Sequence, residues 1–187
     1  MMAEPQQYSA RLGIIGPERF QAALDRFGLG TFITAAPITG GLFGQNVFVT
    51  STEGEWVLRG APHYPGQFPK ERFFARLIQE HTDVPVPWPY LIDTDPTIFG
   101  WGYVLMPRMP GLQTSDPAVR AALSRQDHLG IAAALGKTLA QLHDFEWPHH
   151  GEYEVESDGI VPHPRSWSGH VGAEIQEWLE QARAVSD

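Results

Sequence analysis

The chain has 187 residues, enough for one domain or slightly more and enough to bury a core without cross-links. It has no cysteine, which excludes a disulfide scaffold, cysteine-ligated zinc and a thiol nucleophile. Its 22 acidic and 13 basic residues give a formal charge of −9 and no basic surface for nucleic acid. No apolar run approaches the ~18 residues of a membrane span, and the N-terminal residues lack signal-peptide character. We therefore expect a cytoplasmic protein without nucleic-acid or membrane partners.

The first third of the chain predicts one helix followed by three strands. Apolar side chains recur with helical spacing from Phe20 to Phe27, which predicts a helix over residues 17–27 that ends at Gly28. Segments rich in β-branched or alternating apolar residues predict strands over residues 31–39, 46–50 and 55–59. Because tight glycine turns join these strands, we expect an antiparallel meander.

The rest of the chain completes the sheet and then becomes helical. A helix is predicted over residues 70–81, and an extended connector follows it because each of its prolines keeps the preceding residue out of the helical region. The remaining predicted elements are two strands and two helices, over residues 90–92, 103–106, 128–143 and 171–184. Residues 147–169 are predicted to be irregular. Since the composition changes from strand-rich to helical at Gly111, we expect an α+β fold.

A glycine-rich turn between the first two strands of the meander is the first candidate for binding. It contains Gly40, Gly41, Gly44 and Gln45, and its glycines let backbone amides approach a phosphate closely. It is neither a dinucleotide-binding fingerprint, because a strand follows it, nor a Walker A loop, because it lacks Gly-Lys-Ser/Thr. The alternative is an ordinary hairpin loop.

A cation and a carboxylate on neighbouring elements form the second candidate. Arg59 lies at the end of the third predicted strand, and Glu71 lies in the first turn of the next helix. A guanidinium held by a carboxylate can contact phosphate oxygens through charge-assisted hydrogen bonds. The alternative is an exposed arginine on an edge strand.

The third candidate is the exit of the last strand. Met106, Pro107 and Met109 lie in a segment that two prolines stiffen. An extended backbone presents alternating carbonyl and amide groups, which can pair with the edge of a planar heterocycle. The alternative is a rigid linker between two lobes.

Five segments carry a resemblance to a known family. They are Trp56-Val57-Leu58-Arg59, Lys70-Glu71-Arg72, Asp83-Val84-Pro85-Val86-Pro87, Tyr103-Val104-Leu105-Met106 before Pro110-Gly111, and Leu135-Gly136-Lys137-Thr138-Leu139-Ala140-Gln141-Leu142-His143. Together they resemble the aminoglycoside phosphotransferase and choline kinase-like family, which has a protein-kinase-like fold. The resemblance covers about residues 31–145. It implies a small lobe with a five-stranded antiparallel sheet and a helix, followed by the first helices of an incomplete large lobe.

The resemblance also implies a role for each candidate residue. The turn with Gly40, Gly41, Gly44 and Gln45 corresponds to the loop that covers the ATP phosphates. Arg59 takes the place of the strand lysine that binds the α- and β-phosphates, and Glu71 pairs with it. The arginine is a departure from the kinase pattern, because its planar fork has a different contact geometry.

The resemblance further implies an adenine pocket and a division of the chain. Met106 would flank adenine, the Pro107 carbonyl would accept from its amino group, and the Met109 amide would donate to a ring nitrogen. We expect an N-terminal helical extension, a nucleotide-binding small lobe, a hinge and a partial large lobe, over residues 1–30, 31–106, 107–111 and 112–187.

The catalytic half of the family's pattern is missing from this sequence. The family places a His-x-Asp, an Asn five residues after that Asp, and a later metal-binding Asp in the large lobe. Residues 142–187 contain no such combination. We therefore expect ATP and Mg²⁺ as cofactors, with the Mg²⁺ ligands outside this chain and little turnover by the chain alone.

Two functions remain open at this point. The first is an ATP-dependent phosphotransferase that transfers the γ-phosphate to a hydroxyl of a small molecule, whose identity the sequence does not define. The second is a non-catalytic, kinase-like binding or assembly module that associates with itself through the surface left by the missing lobe.

Histidines are concentrated in the last quarter of the chain. Five of them occur there with acidic residues nearby, at His143, His149, His150, His163 and His170. Because no fixed metal-binding spacing such as H-E-x-x-H occurs, solvated loop histidines are the preferred interpretation and no metal site is assigned.

Overall fold

A computed structural model describes residues 4–38 and 43–186 of the chain. Its strands are β1 (Gln6–Ser9), β2 (Gly13–Ile15), β3 (Phe32–Pro37), β4 (Asn46–Ser51), β5 (Gly54–Gly60), β6 (Leu91–Asp93), β7 (Tyr103–Pro107), β8 (Gly151–Glu154) and β9 (Gly159–Pro162). Its helices are α1 (Pro17–Asp25), α2 (Gln67–His81), α3 (Pro117–Ala122), α4 (Arg125–His143) and α5 (Trp167–Ser186). The chain divides after His143 into two compact units. None of the described helices combines the length and the apolar character needed to cross a bilayer.

The centre of the first unit is a five-stranded antiparallel sheet with the strand order β3-β4-β5-β7-β6. The predicted α+β fold with a five-stranded antiparallel sheet is therefore confirmed. Arg59 on β5 lies opposite Asn46 on β4, and Val57 lies opposite Phe48 on β4 and Met106 on β7. Since side chains directly opposite each other share a face, these five residues lie on one face of the sheet.

The other face of the sheet forms the main core. Val47, Val49, Leu58 and Leu105 alternate with the residues of the first face and are at most 1% exposed. The residues before β3 supply five further buried members of this core, which are Leu12, Ile15, Phe20, Ala23 and Leu24. The N-terminal segment therefore covers the rear of the sheet and leaves the front face for other contacts.

The helices that flank the sheet follow local sequence rules with small shifts at their ends. Pro17 occupies the first turn of α1, where its missing amide is not needed, and α1 ends at Asp25, two residues earlier than predicted. α2 begins at Gln67 rather than at residue 70. Gly66 precedes it with φ +84°, a conformation that glycine adopts easily, and Pro69 fits within the first turn.

Two hairpins were not predicted. β1 pairs with β2 in the polar N-terminal segment, and β8 pairs with β9 inside residues 147–169, which were expected to be irregular. That expectation was wrong because the strands have only three or four residues each, too few for alternation to be recognised. The predicted domain boundaries stay a prediction.

Candidate functional site

An ion pair joins the sheet to α2 in the first unit. The Arg59 Nη2 lies 2.8 Å from the Glu71 Oε1, and the two side chains are 22% and 30% exposed. Partial burial strengthens such a pair relative to a fully exposed one, because the surrounding dielectric is lower. The structure thus brings together the cation and the carboxylate that the sequence singled out.

Glu71 is held by two further donors. Gln67, one helical turn earlier, donates from its Nε2 to the Glu71 Oε1 at 2.9 Å, and the Tyr90 hydroxyl donates to the Glu71 Oε2. Burial and then the hydrogen bond to Glu71 raise the pKa of the Tyr90 phenol well above its usual value. Tyr90 therefore remains a protonated donor, and the carboxylate keeps one orientation.

Arg59 also contacts the neighbouring strand. Its Nη1 donates to the Asn46 Oδ1 at 3.3 Å, while its Nε is buried and has no hydrogen-bond partner among the described residues. Buried polar atoms normally have partners, so this guanidinium is held in place without using all of its donors. Asn46 lines a cleft, and through it Arg59 adjoins that cleft.

The cleft is formed by the front face of the sheet and the segment after β7. Its volume is about 630 Å³, within the range of sites that hold small molecules. The sheet and the connector before β6 contribute Asn46, Phe48, Val57, Pro87, Met106 and Pro107, and the later segment contributes Arg108, Met109, Gly111, Leu112, Gln113, Asp116 and Val119. The lining combines apolar side chains with the polar groups of Asn46, Arg108, Gln113 and Asp116, so it offers both packing surface and hydrogen-bonding groups to a small ligand.

Three of the predicted site residues line this cleft directly. Met106 and Pro107 end β7, and Met109, 41% exposed, follows them on the same border. Met106 and Arg59 therefore share the front face of the sheet, although neither Arg59 nor Glu71 lines the cleft itself.

The predicted glycine turn is described only in part. Gly40 and Gly41 lie outside the described residues, and the Gly44 carbonyl accepts a hydrogen bond from the Ser9 hydroxyl at 2.6 Å. Gln45 is 1% exposed, and its Nε2 donates to the carbonyls of Gly60 and Ala61 at 3.2 and 2.9 Å. The Gln45 side chain is thus occupied by the protein's own backbone and is not open to a ligand.

Sequence reasoning missed several residues of the cleft. Arg108 stacks on the Phe48 ring at 4.0 Å and lies 3.3 Å from the Glu55 carboxylate. The missing signal was strand register: once Phe48 is opposite Val57, Phe48 must face the same side. Asp116 also lines the cleft, but its carboxylate caps α3 by accepting from the Ala118 amide at 2.8 Å.

The cleft does not offer a recognisable set of Mg²⁺ ligands. Within residues 4–38 and 43–186, the one group of three or more metal-ligating side chains with suitable spacing consists of histidines of the second unit. Mg²⁺ prefers carboxylate oxygens and water. The described residues that line the cleft therefore form no such cluster.

Comparison with known proteins relates the chain to one enzyme family and, over part of its length, to a plant protein. A sequence model of the phosphotransferase enzyme family (APH) matches residues 34–187, more than half of the chain. Over 107 residues the chain is also 30% identical to the probable acyl-CoA dehydrogenase IBR3 of Arabidopsis thaliana. That match covers 57% of this chain and 12% of the length of the plant protein.

Proposed function

Since the chain belongs to the phosphotransferase enzyme family, we propose that its first unit binds ATP for transfer of the γ-phosphate to a hydroxyl of a small molecule. The observation that carries this proposal is the Arg59–Glu71 ion pair beside a cleft bordered by the Met-Pro strand exit. Phosphoryl transfer depends mainly on positioning and charge stabilisation, which a fixed cation supplies.

In this proposal the phosphates lie at the Arg59 end of the cleft. The guanidinium contacts phosphate oxygens, while Glu71, held by Gln67 and Tyr90, fixes its orientation. The backbone amides of Gly40, Gly41 and Gly44 contribute further donors. Gln45 takes part through its backbone alone, because its side chain is bonded to neighbouring carbonyls.

Adenine then occupies the other end. Met106 flanks the ring, the Pro107 carbonyl accepts from the exocyclic amino group, and the Met109 amide donates to a ring nitrogen. Apolar side chains of the sheet, such as Val57 and Met106, offer packing surface to the ring beside these two hydrogen bonds. Adenine recognition therefore rests on backbone groups and shape.

The proposal assigns neither the Mg²⁺ ligands nor a general base. Residues 142–187 lack the His-x-Asp with the later Asn, so we expect this chain to bind nucleotide with little or no turnover by itself. The acceptor stays open. The similarity to a plant protein named as a probable acyl-CoA dehydrogenase covers too small a part of that protein to define the acceptor.

Calorimetric titration with Mg-ATP tests the proposal. Arg59→Ala should weaken binding by about 2 kcal/mol, or roughly 30-fold, because a charge-assisted contact is lost. Arg26→Ala is the matched control: Arg26 also forms an ion pair, at 2.9 Å with Asp95, but its partners do not line the cleft, whereas Arg59 donates to Asn46, which does. The control should bind as the unsubstituted chain does.

Two results would count against this function. Equal affinity of the Arg59→Ala and Arg26→Ala variants for Mg-ATP would show that the Arg59 guanidinium does not contribute to binding. A folded chain that shows no thermal shift with Mg-ATP but forms dimers in light scattering would favour the kinase-like assembly module instead. Apolar side chains on α4, such as Leu135 at 58% exposure, offer a surface for that association.

A further inference from the structure

Three histidines converge in the second unit. His150 precedes β8, His163 follows β9, and His170 lies in the first turn of α5. Their ring centroids are 4.6 to 5.1 Å apart, and one ligand atom from each lies within 4.8 Å of the others. The sequence carries no signal for this cluster, because the unpredicted β8–β9 hairpin is what closes the distance between the three residues.

Backbone hydrogen bonds hold the cluster together. The His163 amide donates to the His150 carbonyl at 2.9 Å, at the open end of the hairpin. The His170 amide donates to the Ser166 carbonyl at 2.9 Å within the start of α5. Trp167 packs edge-on against the His150 ring with a centroid distance of 4.9 Å. The three imidazoles are therefore positioned by regular structure and not by long mobile side chains.

One ring nitrogen of the cluster is unsatisfied. The His150 Nε2 is buried and has no hydrogen-bond partner among the described residues. A buried polar atom without a partner is costly in free energy, and a metal ion is one of the few ligands that would satisfy it here. The side chains of His163 and His170 are 16% and 23% exposed, so an ion can still enter from solvent.

Two carboxylates complete the surroundings. The Glu174 Oε1 lies 3.6 Å from the His170 Nε2, and the Glu152 Oε1 lies 3.9 Å from the His163 Nε2. These separations exceed a normal hydrogen bond of about 2.7–3.2 Å. They are closer to the spacing of about 3.3 Å between two ligands of one tetrahedral zinc ion with bonds of ~2.0–2.1 Å.

The second ring nitrogen of His163 has a local partner. The Arg165 amide and carbonyl lie 3.1 and 3.4 Å from its Nδ1, with the tautomer deciding which of them is used. A Zn²⁺ ion at the Nε2 requires the tautomer in which the Nδ1 carries the proton and donates to the Arg165 carbonyl at 3.4 Å. In the other tautomer the Nδ1 accepts from the Arg165 amide and the Nε2 is protonated, so zinc binding selects the first tautomer.

We propose that His150, His163 and His170 bind one Zn²⁺ ion, with Glu174 or water as the fourth ligand. Three imidazoles with an adjacent carboxylate are a donor set that zinc accepts in tetrahedral geometry. The ligand atoms now lie within 4.8 Å of one another, so binding shortens their separations by up to about 1.5 Å. The ion would fasten the open end of the β8–β9 hairpin to the first turn of α5. This inference concerns the second unit alone and does not depend on nucleotide binding.

Titration of the chelator-treated full chain with Zn²⁺ tests the inference. We expect one ion per chain, and a loss of affinity of at least 10-fold in His163→Ala and in His170→Ala. His149→Ala is the matched control, because His149 is exposed and neighbours His150 in the chain but is not part of the cluster. It should bind Zn²⁺ as tightly as the unsubstituted chain.

Replacement of zinc by Co²⁺ gives a second test that needs no variant. The intense visible absorption of tetrahedral Co²⁺ should appear at one equivalent in the unsubstituted chain. The weak absorption of aqueous Co²⁺ alone would overturn the proposal. So would an affinity for Zn²⁺ that falls as far in His149→Ala as in His163→Ala, with all variants folded by circular dichroism.

Discussion

The sheet and the helices after it bury their apolar side chains to very different extents. On β4 and β5, Val47 and Leu58 are fully buried. On α4, described over its whole length, no residue is buried, and Leu129 and Leu135 are 55% and 58% exposed. Both regions are apolar in sequence, so composition does not explain the contrast. The sheet is covered by α1 and its neighbours, whereas the apolar side of α4 remains uncovered in this chain.

The residues that line the cleft show the same difference in burial. Val57 and Met106 belong to the wall formed by the sheet, which is backed by the main core. Leu112, 80% exposed, belongs to the opposite wall. Elements with few buried contacts open locally at lower cost in free energy than elements of the core. A ligand in the cleft would therefore meet one rigid wall and one adaptable wall.

Truncation of one leucine in each region should give the largest difference. Leu58→Ala should lower the free energy of unfolding by about 2–5 kcal/mol, because it leaves a cavity beneath the sheet. Leu135→Ala makes the same chemical change on α4 and should cost less than about 0.5 kcal/mol. Urea unfolding measures both. Comparable losses would show that α4 is packed as tightly as the sheet.

A charge removed from each region should give a smaller difference. Glu71→Gln should lower the free energy of unfolding by about 1–3 kcal/mol, because it leaves the partly buried Arg59 without its counter-charge. Glu177→Gln on α5 is the matched change, since Glu177 also accepts from a glutamine one turn away, at 3.2 Å. It should alter stability by less than about 0.5 kcal/mol. A Glu71→Gln variant as stable as Glu177→Gln would contradict the distinction.

The smallest expected effect concerns the start of α4, which is held by hydrogen bonds between neighbouring residues and not by buried apolar side chains. Hydrogen bonds from Ser124 hold the pKa of the exposed Asp127 carboxyl below its usual value of 3.8. Because the folded pKa is lowered, the cap contributes stability above the unfolded value and loses that contribution as the pH falls through the folded pKa. A carbon-detected NMR titration should show the Asp127 midpoint below 3.8, with a rise in Ser124→Ala. Ser168→Ala should leave the midpoint unchanged, and a shift there would indicate a long-range cause.

Local patterns predicted the parts of the site that lie on long elements. The sequence placed Arg59 on a strand and Glu71 on the following helix, and the family resemblance implied their ion pair, which the structure contains. Because α2 begins at Gln67, Glu71 lies in its second turn and not, as predicted, in its first. The strand exit at Met106 could be predicted equally well from the sequence, because two prolines fix its backbone. These features depend on neighbours in sequence and on one strand pairing.

Features that depend on contacts between distant segments were not predicted. The sequence places Gln45 in a candidate ligand-binding loop, yet its side-chain amide donates to the carbonyls of Gly60, the last residue of β5, and of Ala61. The three histidines of the second unit carry no motif spacing, and only the pairing of two four-residue strands brings them together. Such contacts require strand register, which short segments with weak alternation do not reveal.

The family match and the packed core begin at different residues of this protein. The family match begins at residue 34, but Leu12, Ile15, Phe20 and Leu24 seal the rear of the sheet from upstream of that point. A shortened version that starts where the match starts would present bare valines and leucines to water. The core of the sheet therefore depends on residues that precede the part of the chain matched by the family model.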